Sequence, residues 1–146
     1  MAVTGVVLPQ ACGLGGDTLI LLRPDGGEAL SFNGSGAAPA AIEPPVPEVG
    51  AASATVPGCV DGWLRLHRRC GRLELREVLS DAVFLARTGF PVGSPLAGGL
   101  KQLGSVLKGG GGWPLLGAET GRVVPQPALA DALQRIAEQG RSGFYE

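Results

Sequence analysis

The chain has 146 residues, with Lys and Arg at 12 against Asp and Glu at 13. That balance, with no basic run, leaves no electrostatic footprint for a nucleic-acid or anionic-membrane partner. Hydrophobic residues make up 45% of it, too much apolar surface for a disordered chain, while 25 Gly and 12 Pro predict short elements joined by glycine-rich turns.

Met1 to Leu8 is apolar but too short to span a bilayer and lacks the basic start of a secretory signal. Nothing in the sequence addresses the chain to a compartment. Thr18 to Arg23 (TLILLR) is a near-continuous apolar run that predicts a strand buried on both faces. It closes on Pro24-Asp25-Gly26-Gly27, after which Glu28 to Asn33 alternates, so the pair predicts a β-hairpin whose second strand presents one face to a cavity. Ile42 to Ser53 is rich in Pro, Ala and Gly without a period and predicts a loop or crossover.

From Val56 onward the pattern turns helical. Val60, Trp63, Leu64 and His67 fall at i, i+3, i+4 and i+7, with Gly71 placed as a C-cap. Leu75, Val78, Leu79, Ala82, Leu85 and Ala86 repeat the stripe up to Gly89, and Leu129, Ala132, Leu133, Ile136 and Ala137 repeat it between Pro127 and Gly140. A further helix over Pro95 to Leu107 carries Gly98, Gly99 and Gly104, each costing roughly 1 kcal/mol relative to Ala. Gly109 to Gly112 predicts a flexible break. Strands followed by amphipathic helices give an α/β or α+β layer arrangement. One hairpin does not make a stable sheet without further strands or a covering helix, so the strand at Thr18 asks for partners beyond itself.

Cys12, Cys59 and Cys70 form no CxxC pair and have no histidine at zinc-finger spacing, which argues against a disulfide framework or a structural metal site; a bridge between two of them stays open. Gly13-Leu14-Gly15-Gly16 has the composition of a phosphate-cradling loop, but a strand-like segment follows it, so no helix dipole stands behind it. It predicts a tight turn. Ser105 and Lys108 match the SxxK pattern of serine acylases without the accompanying SDN or KTG segments, and a frayed helix end accounts for them. Gly34-Ser35-Gly36 lacks the GxSxG of a nucleophile elbow. His67 reads as a structural histidine, Asp61 as a first-turn charge and Asp81 as an exposed one.

An ordered set of segments resembles the gamma-glutamyltransferase (gamma-glutamyltranspeptidase, glutathione hydrolase) family. Pro9 to Asp17 (PQACGLGGD) is similar to the family turn that precedes a core strand, with the Pro24-Asp25-Gly26-Gly27 hairpin after it. Phe32 to Ala41 (FNGSGAAPAA) resembles the next strand end and its tail, and Val56-Pro57-Gly58-Cys59-Val60-Asp61-Gly62-Trp63 with Cys70-Gly71-Arg72-Leu73 resembles the family's "VPG-x-V-x-G" helix and following turn. Leu85 to Val92, Gln126 to Ala130, Ile136 to Gly140 and Phe144-Tyr145 complete the set.

The resemblance implies part of an N-terminal-nucleophile αββα sandwich whose precursor cleaves itself and frees a threonine at the start of a small subunit. That threonine attacks an amide carbonyl with its own amine as base, and water or an acceptor amine resolves the acyl-enzyme, with glutathione the usual donor and no cofactor. Residues 1–146 are then expected to be a partial large-subunit segment truncated at both ends, inactive alone, with the small subunit or the rest of the precursor as partner. One departure bears on the donor. Where gamma-glutamyl-specific members hold the donor α-carboxylate with an arginine, this sequence has Ser35, between Gly34 and Gly36. A hydroxyl lacks the bidentate, charge-assisted pairing of a guanidinium. Gamma-glutamyl preference is thereby opened to a rival, a cephalosporin-acylase-like amidase; another cation, such as Arg23 from the adjacent strand, would restore it. A non-catalytic remnant of the large subunit is the alternative of a different class.

Overall fold

The computed structural model describes residues 1–48, 50–106 and 113–146, so the predicted break at Gly109 to Gly112 lies outside the described residues. In chain order the elements are α1 (Ala2–Val7), β1 (Thr18–Leu22), β2 (Leu30–Gly34), a 3-10 turn (Ala51–Ser53), α2 (Cys59–Cys70), α3 (Leu75–Thr88), β3 (Phe90–Pro91), α4 (Ser94–Val106), β4 (Val123–Val124), α5 (Pro127–Gln139) and α6 (Ser142–Tyr145). They fall into two compact units, Leu14–Arg72 and the combination of Met1–Gly13 with Leu73–Glu146.

In the larger unit α3 and α5 pack along the predicted stripes. Leu79, Ala82 and Ala86 of α3 and Ala130, Leu133 and Ile136 of α5 are buried, and so are Leu96 and Leu100 of α4. α5 starts on Pro127, whose missing N–H costs nothing in a first turn, and stops at Gly140, which takes φ +63°. Gly89 ends α3 at φ +84°, and a Cβ there would also meet Pro125 N, Val123 Cγ1 and Val124 C at 2.9 Å. Glycine is thus required at 89 twice over, by conformation and by the close passage of β4. β3 and β4, too short for the sequence pattern to register, pair Phe90 with Val124 and Pro91 with Val123. Gln126 is buried, the polar side chain so placed among the described residues, and its Nε2 donates to Val6 O at 3.0 Å, fastening α1.

α4 forms despite its glycines, and tertiary packing explains one of them. A Cβ at Gly99 would meet Gln10 Cγ at 2.8 Å, so the side chain of Gln10 occupies the space that the missing methyl leaves.

In the smaller unit β1 and β2 pair antiparallel from Thr18↔Gly34 to Leu22↔Leu30. Gly27 N–H donates to Pro24 O at 3.0 Å and Gly26 takes φ +70°, as the turn chemistry predicted. The second strand starts later than its alternation suggested. Contrary to expectation, β1 is not buried on both faces: Thr18, Ile20 and Leu22 are half-buried, whereas Leu19 and Leu21 are 76% and 79% exposed. The reason is that α2 covers one side of a two-stranded sheet, and period-two alternation sends Leu19 and Leu21 to the other. On α2, Val60 and Leu64 are buried and Trp63 and His67 half-buried, the predicted stripe. Gly71 is its C-cap, but in an extended conformation (φ −65°, ψ 141°) rather than a left-handed one. Glycine is needed there because a Cβ would come within 2.6 Å of His67 Cδ2.

Candidate functional site

Ser35 follows β2 directly and is exposed, in an irregular turn whose N–H groups at 35 and 36 are both bonded. Its own N–H donates to Asn33 Oδ1 at 2.9 Å, an Asx-type local bond. The next N–H, of Gly36, donates to Asp17 Oδ1 at 2.8 Å, and Thr55 Oγ1 donates to that same oxygen at 3.4 Å. Val56 N–H then bonds Ala37 O at 2.9 Å, so the segment leaving the turn is laced to the loop that enters α2. One carboxylate oxygen therefore gathers the end of β2 and the approach to α2.

Glycines make this lacing sterically feasible. A Cβ on Gly36 would run into Val56 O and lie 2.7 Å from Val56 C; one on Gly58 would run into Gly34 O and lie 2.9 Å from Gly36 N. A Cβ on Gly34 would meet Thr18 Cγ2 at 2.8 Å, and one on Gly62 would collide with the same methyl. At Gly36 and Gly58 backbone touches backbone, and at Gly34 and Gly62 the Thr18 methyl fills the place of a side chain, approaches that only residues without a side chain permit. The glycine turn read at Gly13 to Gly16 has its use in the same place: Gly16 O accepts from Cys59 N–H at 2.9 Å and Gly58 N–H at 3.2 Å. It supplies an acceptor to the unsatisfied amides at the start of α2, the opposite polarity from a phosphate cradle.

Gly34, Ser35 and Gly36 are thus found together with Asp17, Asn33 and Thr55, three side chains to which the sequence reading gave no role in the site. The hydroxyl and amides at Ser35 carry no positive charge, and both turn amides are already bonded. Arg23 does not restore one. It lies beyond Leu22, at the end of the ladder opposite Gly34, and with a rise of about 3.4 Å per residue roughly 14 Å of strand separates the two ends. The expectation that Arg23 could be brought round to Ser35 is corrected by that register.

The remaining candidates do not converge on a site. Asp61 pairs with Arg65 at 2.7 Å in the first turns of α2, and Asp81 is exposed on α3. His67 is half-buried on the stripe with Trp63 and Leu64. Lys108, needed for the SxxK reading with Ser105, lies outside the described residues. Cys12 and Cys70 are exposed and Cys59 is buried, all as thiols rather than in disulfides. Among the described residues no group of three or more His, Cys, Asp or Glu is placed to hold a metal ion, and no helix is long and apolar enough to cross a membrane.

A family model of gamma-glutamyltranspeptidase matches residues 1–146. The glutathione hydrolase-like YwrD proenzyme of Bacillus subtilis is 35% identical over 164 residues, covering 99% of this chain and 30% of that protein. Among solved structures, the gamma-glutamyltranspeptidase from Pseudomonas nitroreducens complexed with L-DON superposes with a TM-score of 0.90 at 30% identity, over 99% of this chain and 47% of that one. The cephalosporin acylase from Bacillus halodurans superposes at 0.87 and 27% identity, over 99% and 31%.

The fold is therefore that of N-terminal-nucleophile hydrolases, an α+β chain corresponding to part of their αββα sandwich. The chain belongs to the gamma-glutamyltranspeptidase family and covers its large-subunit portion. It spans 30% of the length of the curated relative.

Proposed function

We propose that this chain forms the large-subunit part of an amide-cleaving acyltransferase or hydrolase, with the Gly34–Ser35–Gly36 turn in its donor pocket. The family match across residues 1–146 is the observation that carries this reading. The reaction runs through a threonine elsewhere in the precursor. Its hydroxyl oxygen attacks the donor carbonyl while its α-amine takes the proton, the C–N bond breaks, and the departing amine receives that proton. Water or an acceptor amine then attacks the ester carbon and returns the threonine. The residues of this chain contribute shape and polarity to the pocket, and its partner is the remainder of the precursor.

Donor choice follows from Ser35. A gamma-glutamyl donor brings an α-carboxylate, and pairing it with a hydroxyl rather than a guanidinium forfeits about 2–4 kcal/mol, within the range for truncating one side of a buried charge pair. The amidase reading, with an uncharged acyl group as donor, is favoured by this neutral turn and by the likeness to a cephalosporin acylase.

Intact-mass analysis of the processed precursor, mixed with gamma-glutamyl or 4-aminobutanoyl p-nitroanilide, tests the common chemistry. A threonine-bearing fragment heavier by the acyl group, absent from the Thr→Ala variant, is the expected result. An unmodified fragment with no release of nitroaniline would favour the non-catalytic alternative. Residues 1–146 alone should release none.

A further inference from the structure

Asp17 closes the turn on which the donor reading rests. Its Oδ1 accepts from Gly36 N–H at 2.8 Å and from Thr55 Oγ1 at 3.4 Å, bonds that span 19 and 38 residues of chain. The other bonds at the turn differ in kind. Asn33 reaches only two residues ahead, and Val56 N–H to Ala37 O joins backbone to backbone. Among the bonds described at the turn, that of the Asp17 carboxylate ties it through a side chain to a distant part of the unit, and a hydrogen bond to an ionised acceptor is of the stronger class. Gly36 passes close against Val56, where a Cβ would enter Val56 O, so no side chain at 36 shares in holding the turn.

We infer that Asp17 is a positioning residue for donor binding: by holding Gly36 N–H it sets where Ser35 presents its hydroxyl. The inference rests on the proposed placement of Ser35 in the donor pocket. It also has a consequence for polarity. With Gly36 N–H consumed by a carboxylate, the turn has one amide fewer to offer a donor anion, and the nearest fixed charge to Ser35 along this lacing is negative. Donors with an uncharged or hydrogen-bond-donating group at that end fit such a turn better than donors with a carboxylate there.

The test uses the complete processed enzyme with 4-aminobutanoyl p-nitroanilide, and reads steady-state kinetics beside amide hydrogen exchange. Asp17→Ala should raise KM by about tenfold, the scale of one lost bond to a charged acceptor, with kcat changed by less than about twofold. Exchange should accelerate in the peptide covering residues 34–38 and stay unchanged in α5. Asp17→Asn, whose amide oxygen still accepts the Gly36 N–H, should return KM to within about threefold of wild type. If Asp17→Ala does not process, Thr55→Val removes the weaker contact to the same oxygen and should show the same pattern at about twofold. Unchanged exchange at 34–38 overturns the positioning role while leaving Ser35 in the pocket. Accelerated exchange with an unmoved KM overturns the placement of Ser35 itself, and the donor role of Asp17 with it.

Discussion

The two units of this chain are closed by opposite means. Around α3 and α5, large side chains fill the space between helices: Leu79, Leu133 and Ile136 are each 3% exposed or less. Around β2 and α2, the elements meet through glycines, with Gly34, Gly36, Gly58 and Gly62 each lying where a single methyl would strike backbone or Thr18. One interior tolerates exchange of shape at constant volume, whereas these four positions of the other have no room for a side chain. The candidate site sits in the second kind, where position is fixed by backbone contact and a few polar bonds. A turn fixed in that way holds its polar groups in a defined place, as a substrate pocket requires.

Substitutions in the complete protein can break this contrast or sharpen it. Leu133→Ala should have the largest effect, about 4 kcal/mol of lost stability in urea, while Leu133→Met should cost less than about 1.5 kcal/mol because volume is retained. Gly58→Ala should cost about 3 kcal/mol, although it adds only one methyl, because that methyl faces Gly34 O rather than a movable side chain. Accelerated hydrogen exchange confined to Leu14–Arg72 would locate that loss in the expected unit. A Gly58→Ala protein as stable as wild type would show that the backbone contact yields easily, and would remove the distinction. Gln126→Leu should cost about 2 kcal/mol by stranding the Val6 carbonyl in a buried place. The smallest effect should come from Arg87→Ala: its pair with Asp131 at 2.9 Å has both side chains more than half exposed, and such pairs contribute about 0.5 kcal/mol or less.

The same contrast explains what was legible beforehand. Side-chain packing leaves a periodic trace, so α3, α5 and the stripe of α2 could be read within a residue or two of their ends, and the hairpin turn announced itself through Pro24 to Gly27. Backbone packing leaves only glycines, whose reason for being there is another segment far away in sequence. The sequence therefore carried Gly34, Gly36 and Gly58 as family-like motifs without their mutual contacts, and Asp17 as the end of a family-like turn without a role in the site, since a bond between residues 17 and 36 has no local signature. β3 and β4 were unreadable because two-residue strands have no period. The apparent double burial of β1 came from a continuous apolar run, TLILL, in which only Thr18, Ile20 and Leu22 turn toward α2. The placement of Ser35 at the site came from resemblance, not from any pattern in the residues around it.

The most direct measurement is the ratio of kcat/KM for gamma-glutamyl p-nitroanilide to that for 4-aminobutanoyl p-nitroanilide, which differ only in the α-carboxylate. It is made on the complete processed enzyme and on Ser35→Arg. With a neutral turn at 35 and Arg23 at the far end of the ladder, the wild-type ratio should be one or below. Ser35→Arg should raise it by roughly 30-fold, the equivalent of about 2 kcal/mol of recovered charge pairing. A wild-type enzyme that strongly prefers the gamma-glutamyl donor, with a ratio that Ser35→Arg leaves unchanged, would contradict the account and return Ser35 to an ordinary turn.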